Sequence, residues 1–537
     1  MSLLSGTGRR TLLIAAVLFL SVILRLRGLT ARSLWFDEAS AWAAVTQFTP
    51  AELLESCRQN VHPPVWHFLL KSWVSVFGDS LAALRGLSVL SGVAAVGCGM
   101  GLAAESARNI LRPNGRIEAA LAAGVLLATS PLQIIWSQQS RMYMLGSLLT
   151  LASSWLLLIA LRRQLWLAWL AYAVAAFLLL HTHNFGMFVV AGQAVYVLGA
   201  TVSDSRKIRS ERPGHPGATT ETDANSGLVM AGSWRRARGI IVLVLVGVSF
   251  LPWLQVVRQQ TARVQADYWI WQFEFNQVAN IAKELFLPVN SERITALLPG
   301  GFEWMFVALI CSFLCAAVVL RLAVLPAVVA AASFGCAILV SMFVTPLMVT
   351  RYFQFGQIIL LVAIALAAVQ IPQRRWRMST VGILVVLSVA TVWLLPSKAD
   401  LAKRPGLSAL VRKVLSQRQN DESVLVASPY MFHATRFHVQ HSSGGDNNVQ
   451  VILIRNNRQL LHYSGGPVIR PTAILLPMEL DQGTLSSAWL INVAEFSPWM
   501  EDVALSPVWH KVAQTQLRED EDSGVRCVVT AERIVRE

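Results

Sequence analysis

The chain has few charged residues for its length. Only 14% of its 537 residues are Asp, Glu, Lys or Arg, whereas 54% are hydrophobic. A soluble protein has about a quarter of its residues charged. Many apolar runs reach the ~18–20 residues that span a bilayer. This composition excludes an ordinary soluble protein and predicts a polytopic membrane protein.

The chain also lacks the sequence signals of several enzyme and metal-binding classes. Glycine-rich phosphate loops, Walker motifs, HExxH and GxSxG are all absent, so nothing suggests nucleotide hydrolysis or proteolysis. The six cysteines form no disulfide framework, because most of them lie in apolar runs. Cys311 and Cys315 share a helix face, but no His or carboxylate joins them. We therefore expect no metal site and no cofactor.

What the chain does have is an excess of basic residues, with a formal net charge of +14. When the apolar runs alternate across a bilayer, the arginine clusters all fall on one side, which is typical of the cytoplasmic side. The excess therefore indicates topology, and nucleic-acid binding becomes a remote alternative. The eleven candidate spans are residues 9–28, 81–104, 119–136, 142–161, 165–182, 185–202, 239–257, 302–320, 322–345, 353–371 and 378–396.

One apolar segment, HPPVWHFLLKSWVSVFG, begins at His62 and has Lys71 in its middle. A further span here would reverse every later loop and put the basic clusters outside. We therefore predict an interfacial helix that lies in the outer membrane surface. The basic loop 203–238 is predicted to be cytoplasmic, and its stretch SERPGHPGATTETDANSG to be disordered.

The character of the chain changes after Pro396, where polar sequence with short β-like runs begins. The predicted fold is an all-α polytopic membrane domain over residues 1–396, with about eleven transmembrane helices and one interfacial helix. Residues 397–537 are predicted to form a small soluble α/β domain on the outer, extracytoplasmic side.

Ionisable, amide and aromatic side chains recur at the predicted outer ends of the spans, whereas the span interiors have almost none. Ionisable groups near a bilayer are costly and usually have a task. Their gathering on one face predicts an active site at the outer leaflet, under the soluble domain. The residues concerned are Asp37, Glu38, His62, Arg141, Tyr143, His181, His183, Asp267, Glu274, Arg351 and Tyr352.

Each of these groups also has a purely structural alternative. Asp37 and Glu38 could belong to a solvated loop, but their aromatic neighbours in SLWFDEASAW favour function. Arg141 and Arg351 could snorkel to the membrane surface, but their place on the side that should lack positive charge favours anion binding. The histidines of HTHNFG are two residues apart and face different sides of a helix, which disfavours a shared metal.

A carboxylate and arginines at the outer leaflet, without a nucleotide site, suit transfer from a lipid-phosphate sugar. Arginines can stabilise the phosphate leaving group. A carboxylate can take the proton of an acceptor hydroxyl as its oxygen attacks the anomeric carbon.

The ordered segments LWFDEASAW, HPPVWHFLLKSWVSVFGDSLAALRGLSVL, SQQSRMYML, HTHNFG and RYF resemble a known family over residues 9–370. This is the GT-C type of membrane glycosyltransferase, and within it the branch of bacterial lipopolysaccharide galacturonosyltransferases. That branch is related to protein mannosyltransferases and to the aminoarabinose transferase of lipid A. The resemblance implies a polyprenyl-phosphate sugar donor, inversion at the anomeric carbon and a place in the bacterial inner membrane.

The resemblance also implies roles for individual residues. Asp37 would be the general base, and Glu38 would orient the acceptor or tune Asp37. A further Asp of the mannosyltransferases is missing from RMYMLGSLLT, which leaves a second acid open. We assign donor-phosphate binding to Arg141, Tyr143, Arg351 and Tyr352, and substrate binding to His62, His181 and His183.

The main alternative is a flippase that binds lipid-linked saccharides without reacting. Transporters place their charges near the bilayer midplane, whereas here the charges lie at one edge, which favours the enzyme. A structural or assembly role is a third alternative. The expected partners of the enzyme are the donor, membrane lipids and a lipid, glycan or protein acceptor.

Overall fold

The computed structural model has a helical first part that carries the candidate spans and a smaller second part built on a β-sheet. The predicted boundary at residues 396 and 397 lies outside the described residues, as do Asp267 and residues 211–221 of the loop predicted to be disordered. The structure describes residues 6–108, 111, 113–210, 222–266, 270–287, 299–319, 321, 323–392, 406–419, 421–442, 449–460, 466–495, 500, 502–520 and 526–537.

Helices dominate the first part, because a chain inside a bilayer must satisfy its own backbone hydrogen bonds. The helices are α1 Gly6–Leu26, α2 Phe36–Gln47, α3 Pro50–Gln59, α4 Val65–Phe77, α5 Leu81–Ser106, α6 Pro113–Thr129, α7 Pro131–Ser137, α8 Tyr143–Arg163, α9 Trp166–Leu180, α10 Gly186–Ser210, α11 Thr222–Ala266, α12 Phe275–Glu284, α13 Glu303–Val319, α14 Val324–Phe343, α15 Thr350–Val369 and α16 Arg374–Val392.

Each of the eleven predicted spans coincides with helical structure. By length and apolar composition alone, six of the described helices could cross a membrane, or seven if α6 and α7 form one bent span. Three further apolar helices are shorter, and α9 and α13 are two of them. The structure thus has the predicted mostly helical architecture with several apolar helices, and the number of eleven spans stays a prediction.

The predicted span 119–136 is not one straight helix. Its two halves, α6 and α7, meet at an angle of 60°. The break falls at Pro131, which has no N–H to donate to the carbonyl four residues earlier. The buried guanidinium of Arg25 donates instead to the carbonyl oxygens of Leu127 at 3.2 Å and Ala128 at 3.3 Å. The arginine therefore satisfies the carbonyl groups that the break leaves without helical partners.

Helix α4 is the segment predicted to lie in the interface. Its 13 residues are too few for the ~20 that a helix needs to cross a bilayer. The Nζ of Lys71 donates to the carbonyl oxygens of Val45 at 2.8 Å and Phe48 at 2.9 Å, at the C-terminal end of α2. A cation there also complements the partial negative charge of the helix end. Lys71 therefore fixes α4 against α2, the helix that holds the acidic pair.

The second part contains a six-stranded sheet with the strand order β3-β2-β1-β4-β6-β5. Strand β1 pairs in parallel with β2 and β4, whereas β6 pairs antiparallel with β4 and β5. The structure thus contains a small C-terminal sheet with helices, as predicted. The elements are α17 Gly406–Gln417, β1 Ser423–Val426, α18 Pro429–Ser442, β2 Val451–Ile454, β3 Ile474–Leu475, α19 Pro477–Gln482, β4 Ser487–Val493, β5 Trp509–Asp520 and β6 Arg526–Arg536.

Helix α18 joins the second part to the acidic segment of the first. The ring of Tyr430 packs on Phe36 with centroids 4.9 Å apart, and Phe437 packs edge-on against Trp42 at 5.3 Å. The N–H of Leu34 donates to His438 Nε2 at 3.1 Å. Burial lowers the pKa of His438 to about 3, so its ring is neutral and can accept this bond. The second part therefore holds the start of α2 directly.

The predicted topology can be tested with single cysteines in a chain without its native cysteines. We expect a membrane-impermeant thiol reagent on intact cells to label Thr484→Cys, which is exposed in the second part. It should not label Leu165→Cys, which is 55% exposed in the arginine-bearing turn between α8 and α9, because that turn should face the cytoplasm. Both cysteines should react once the cells are permeabilised. The opposite labelling pattern would contradict the assigned sides.

Candidate active site

The acidic pair stands at the beginning of α2. Trp35 has extended backbone geometry and the helix starts at Phe36, so Asp37 and Glu38 both lie in its first turn. Carboxylates are stabilised there by the partial positive charge of the helix end. The Asp37 side chain is 23% exposed and lines a cavity of about 310 Å³. Asp37 is therefore open to a ligand from this cavity.

Glu38 has a different environment, although it is the next residue. It is only 1% exposed and does not line the cavity. Arg85 donates to it through a fork, Nε to Oε1 at 3.0 Å and Nη2 to Oε2 at 2.8 Å. The backbone N–H groups of Trp35 and Ser140 also donate to the Glu38 carboxylate, at 3.2 Å and 2.6 Å. Glu38 thus ties α2 to α5 and to the turn before α8.

Arg85 was not among the residues singled out from the sequence. It is 3% exposed, and its remaining donors reach the carbonyl oxygens of Leu29 at 2.7 Å and Ser33 at 2.9 Å. A single arginine near the start of an apolar run is unusual, and that signal could have marked it. Arg85 holds both the loop before α2 and the carboxylate of Glu38.

This buried pair should be sensitive to the loss of one partner. We expect Glu38→Ala to lower the free energy of unfolding by about 3–5 kcal/mol, because it leaves the Arg85 charge buried without compensation. Unfolding by heat in detergent measures the change. The matched control is Glu55→Ala, which removes the exposed pair with Arg58 and should cost less than about 1 kcal/mol. Equal losses in the two variants would contradict a structural role for the buried pair.

Arg141 lies beside Asp37, in the turn that precedes α8. It is 6% exposed and lines the cavity. Its Nη1 donates to the main-chain oxygen of Asp37 at 3.1 Å, and its Nη2 lies 3.8 Å from Asp37 Oδ2. Its Nε has no hydrogen-bond partner in the described part of the chain. Arg141 therefore compensates the charge of Asp37 and keeps one donor for a ligand.

Arg351 and Tyr352 reach the same cavity from the first turn of α15. The guanidinium carbon of Arg351 lies 5.6 Å from the ring centroid of Trp35 and 5.6 Å from that of Tyr352. Such aromatic faces stabilise a guanidinium group and fix its position. Tyr143 is buried and does not line the cavity, and its ring lies 6.5 Å from the ring of Tyr352. Arg141 thus reaches the cavity from the turn before α8, and Arg351 reaches it from the first turn of α15.

The three predicted histidines separate into two kinds. His62 and His183 are buried, line the cavity and have ring centroids 5.3 Å apart. Burial lowers the pKa of His62 well below its ordinary value and that of His183 to about 3, and the Arg141 and Arg351 charges act in the same direction. Both rings are therefore neutral. His181 does not line the cavity, since it stacks on Phe177 at 4.2 Å.

The segments that carry His62 and His183 are held together by hydrogen bonds to main-chain oxygens. Asn184 Nδ2 donates to the carbonyl oxygen of Val61 at 3.0 Å, and the N–H of Val65 donates to that of His181 at 3.0 Å. These bonds join the HPP segment to the HTHNFG segment, so that His62 and His183 face one cavity. In the described residues, no three His, Cys, Asp or Glu side chains are grouped so that they could hold a metal ion.

The second part of the chain also contributes to the wall, which the sequence did not predict. Pro467 and Val468 line the cavity together with Asp37. The neighbouring Arg470 is paired with Glu52 at 3.3 Å, on α3. This pair holds the segment over the end of α2. A ligand in the cavity would therefore contact both parts of the protein.

The fold is similar to that of membrane glycosyltransferases of the GT-C type. Residues 61–218 match the family model described as dolichyl-phosphate-mannose-protein mannosyltransferase. The chain is similar in structure to ArnT from Cupriavidus metallidurans bound to undecaprenyl phosphate, with 15% identity, a TM-score of 0.56 and 98% of each chain covered. For apo ArnT from the same organism the values are 14%, 0.51 and 98% of each chain.

These likenesses confirm the resemblance that the sequence indicated, to membrane glycosyltransferases related to protein mannosyltransferases and ArnT. The oligosaccharyltransferase of Archaeoglobus fulgidus, in complex with zinc and sulfate, is a further match, with 12% identity and a TM-score of 0.44 over 89% of this chain and 67% of that one. No curated protein sequence matches the chain.

Proposed function

We propose that the protein is a glycosyltransferase that moves a sugar from a polyprenyl-phosphate donor to a hydroxyl group of a lipid, glycan or protein acceptor. The reaction would take place at the outer face of the cytoplasmic membrane. The observation that carries the proposal is the meeting of Asp37, Arg141 and Arg351 in one cavity, from three distant segments of the chain. The fold it shares with ArnT bound to undecaprenyl phosphate adds support.

The geometry suits a single displacement. The acceptor oxygen attacks the anomeric carbon while its proton passes to a carboxylate oxygen of Asp37. The bond between the anomeric carbon and the phosphate oxygen breaks, and its electron pair leaves with the lipid phosphate. Arg351 stabilises the charge that collects there. Attack opposite the leaving group inverts the anomeric configuration.

The other residues of the site would position these groups. Glu38 and Arg85 hold the first turn of α2. Arg141 donates a hydrogen bond to the main-chain oxygen of Asp37 and forms an ion pair with its carboxylate. His62 and His183 offer neutral ring nitrogens to substrate hydroxyl groups. Tyr143 and His181 stand outside the cavity lining. The assignment of Tyr143 to donor-phosphate binding and that of His181 to substrate binding stay predictions from the sequence.

Cleavage of the donor distinguishes this enzyme from a flippase. Purified protein in detergent is given synthetic lipid-phosphate sugars with envelope lipids as acceptors, and free polyprenyl phosphate is measured beside bound donor. An enzyme releases the lipid phosphate in proportion to the sugar transferred. Binding of donor without cleavage, across a broad panel of sugars and acceptors, would contradict glycosyl transfer and favour the carrier.

A further inference from the structure

A row of polar side chains runs along one face of α15, although most of this helix is apolar. Thr350, Gln354 and Gln357 follow one another at intervals of four and three residues, which places them on the same side of the helix. Gln354 and Gln357 are 0% and 1% exposed. Polar groups buried in an apolar span are costly unless they are hydrogen-bonded, so the partners of this row show how α15 is attached.

The first member of the row holds the N-terminal turn of α15. The hydroxyl group of Thr350 donates to Oε2 of Glu284, which is the last residue of α12. Thr350 is the first residue of α15, and Arg351 is the second. The hydrogen bond therefore joins the turn that carries Arg351 to a separate helix, 66 residues earlier in the chain.

Two turns further along α15, Gln357 forms a second attachment to the same end of α12. Its Nε2 donates to the carbonyl oxygen of Leu285 at 3.2 Å and to Ser130 Oγ at 3.0 Å. Its Oε1 accepts a hydrogen bond from Gln133 Nε2 at 2.7 Å. Leu285 directly follows α12, whereas Ser130 precedes α7 and Gln133 lies within it. Gln357 therefore fixes α15 against both α12 and α7.

We propose that Glu284 is a positioning residue for the donor phosphate, and that it acts through Thr350 on Arg351. This inference rests on the proposed function, in which Arg351 holds the phosphate of the donor. With attachments at Thr350 and Gln357, α15 cannot turn about its axis or slide along α12 without breaking a hydrogen bond. Helix α12 therefore sets the place of the arginine. Such placement matters, because a misplacement of about 1 Å can cost ~10²-fold in rate.

The affinity for sugar-free polyprenyl phosphate tests this role, measured as the ligand-dependent rise of the unfolding temperature in detergent. We expect Glu284→Leu to lower the affinity about tenfold, as for the loss of one hydrogen bond that fixes a binding group. Glu284→Gln should bind nearly as tightly as the wild type, because an amide oxygen also accepts the bond from Thr350.

The same comparison can be made from the other partner. Thr350→Val removes the donor and keeps the shape of the side chain, so it should lower the affinity as Glu284→Leu does. Thr350→Ser keeps the hydroxyl group and should retain the affinity. This pair of variants decides the question if Glu284→Leu does not fold. Equal affinities of the valine and serine variants would contradict the positioning role.

Gln354→Leu is the matched control for the attachment at Gln357. Gln354 is buried on the same face of α15, but neither atom of its amide group has a hydrogen-bond partner in the described part of the chain. Its replacement should leave the affinity for polyprenyl phosphate unchanged, whereas Gln357→Leu should lower it. Equal affinities of the two leucine variants would contradict the second attachment.

A combined variant shows whether Glu284 acts through the arginine. In the background of Arg351→Ala, Glu284→Leu should lower the affinity no further, because the group that it positions is absent. A role in general stability would instead lower the affinity by the same factor in both backgrounds. That result would overturn the inference.

The inference and the proposed function fail in distinguishable ways. If Glu284→Leu and Thr350→Val bind polyprenyl phosphate as tightly as the wild type while Arg351→Ala does not, the positioning role is rejected and the role of Arg351 stands. If Arg351→Ala also binds like the wild type, both roles are rejected. If the wild type binds donors without cleaving them, glycosyl transfer is contradicted, and the same affinities still decide whether Glu284 positions Arg351.

Discussion

Replacing Asp37 by Asn should lower sugar transfer by ~10²-fold or more, which is the usual contribution of a general base. The amide has the size of the carboxylate but cannot accept the proton of the acceptor hydroxyl. The bond from Arg141 Nη1 goes to the main-chain oxygen of Asp37, so it survives the substitution. The variant should therefore fold normally, bind donor and fail to turn it over. The rate of polyprenyl phosphate release with saturating donor measures the effect.

Asp79→Asn is the matched control for this substitution. Asp79 follows α4 and accepts a hydrogen bond from Trp42 Nε1 at 2.8 Å, but it does not line the cavity. Its loss should affect stability more than turnover. Transfer at the wild-type rate by Asp37→Asn would show that the proton goes elsewhere. Equal losses in the two variants would point to a general disturbance of the first loop.

The acidic pair shows how far sequence reasoning can go. The pattern of charges at the ends of apolar runs placed Asp37, Arg141 and Arg351 on one side of the membrane, and the structure brings them to one cavity. The charge pattern alone does not distinguish Asp37 from its neighbour Glu38, and only the family resemblance gives them different roles. Their separation into an open and a buried carboxylate depends on Arg85, which is 47 residues away from Glu38. Such a pairing is a property of tertiary packing.

Two further features could not be read from the sequence for the same reason. The part of the wall formed by Pro467 and Val468 comes from a region that contains no recognisable motif, and only packing brings it to α2. The hydrogen bond from Lys71 to the end of α2 depends on how α4 packs against α2. The sequence alone does not give that packing. By contrast, the break at Pro131 had a local signal, because proline interrupts helices. The hydropathy of residues 119–136 is nevertheless continuous and by itself predicts one uninterrupted span.

The largest effect on donor use should come from Arg351. We expect Arg351→Ala to lower kcat/KM for donor by ~10²–10³-fold, the usual loss when one preorganised group that stabilises developing charge is removed. Arg351→Lys should retain part of the activity, because it keeps the charge but loses the planar fork. Tyr352→Phe should have a smaller effect, since it keeps the ring that packs beside the guanidinium. Initial rates over a range of donor concentrations give these values.

Arg258→Ala is the matched control, because Arg258 is exposed on α11 and does not line the cavity. Removal of an arginine that only anchors the protein at the membrane surface should leave the rate of sugar transfer almost unchanged. Removal of Arg351 should lower that rate. Binding of sugar-free polyprenyl phosphate separates the roles further: Arg351→Ala should weaken it, whereas Asp37→Asn should not, because only the arginine faces the phosphate. If Arg351→Ala binds polyprenyl phosphate as tightly as the wild type and transfers sugar as fast as Arg258→Ala, Arg351 does not hold the leaving group.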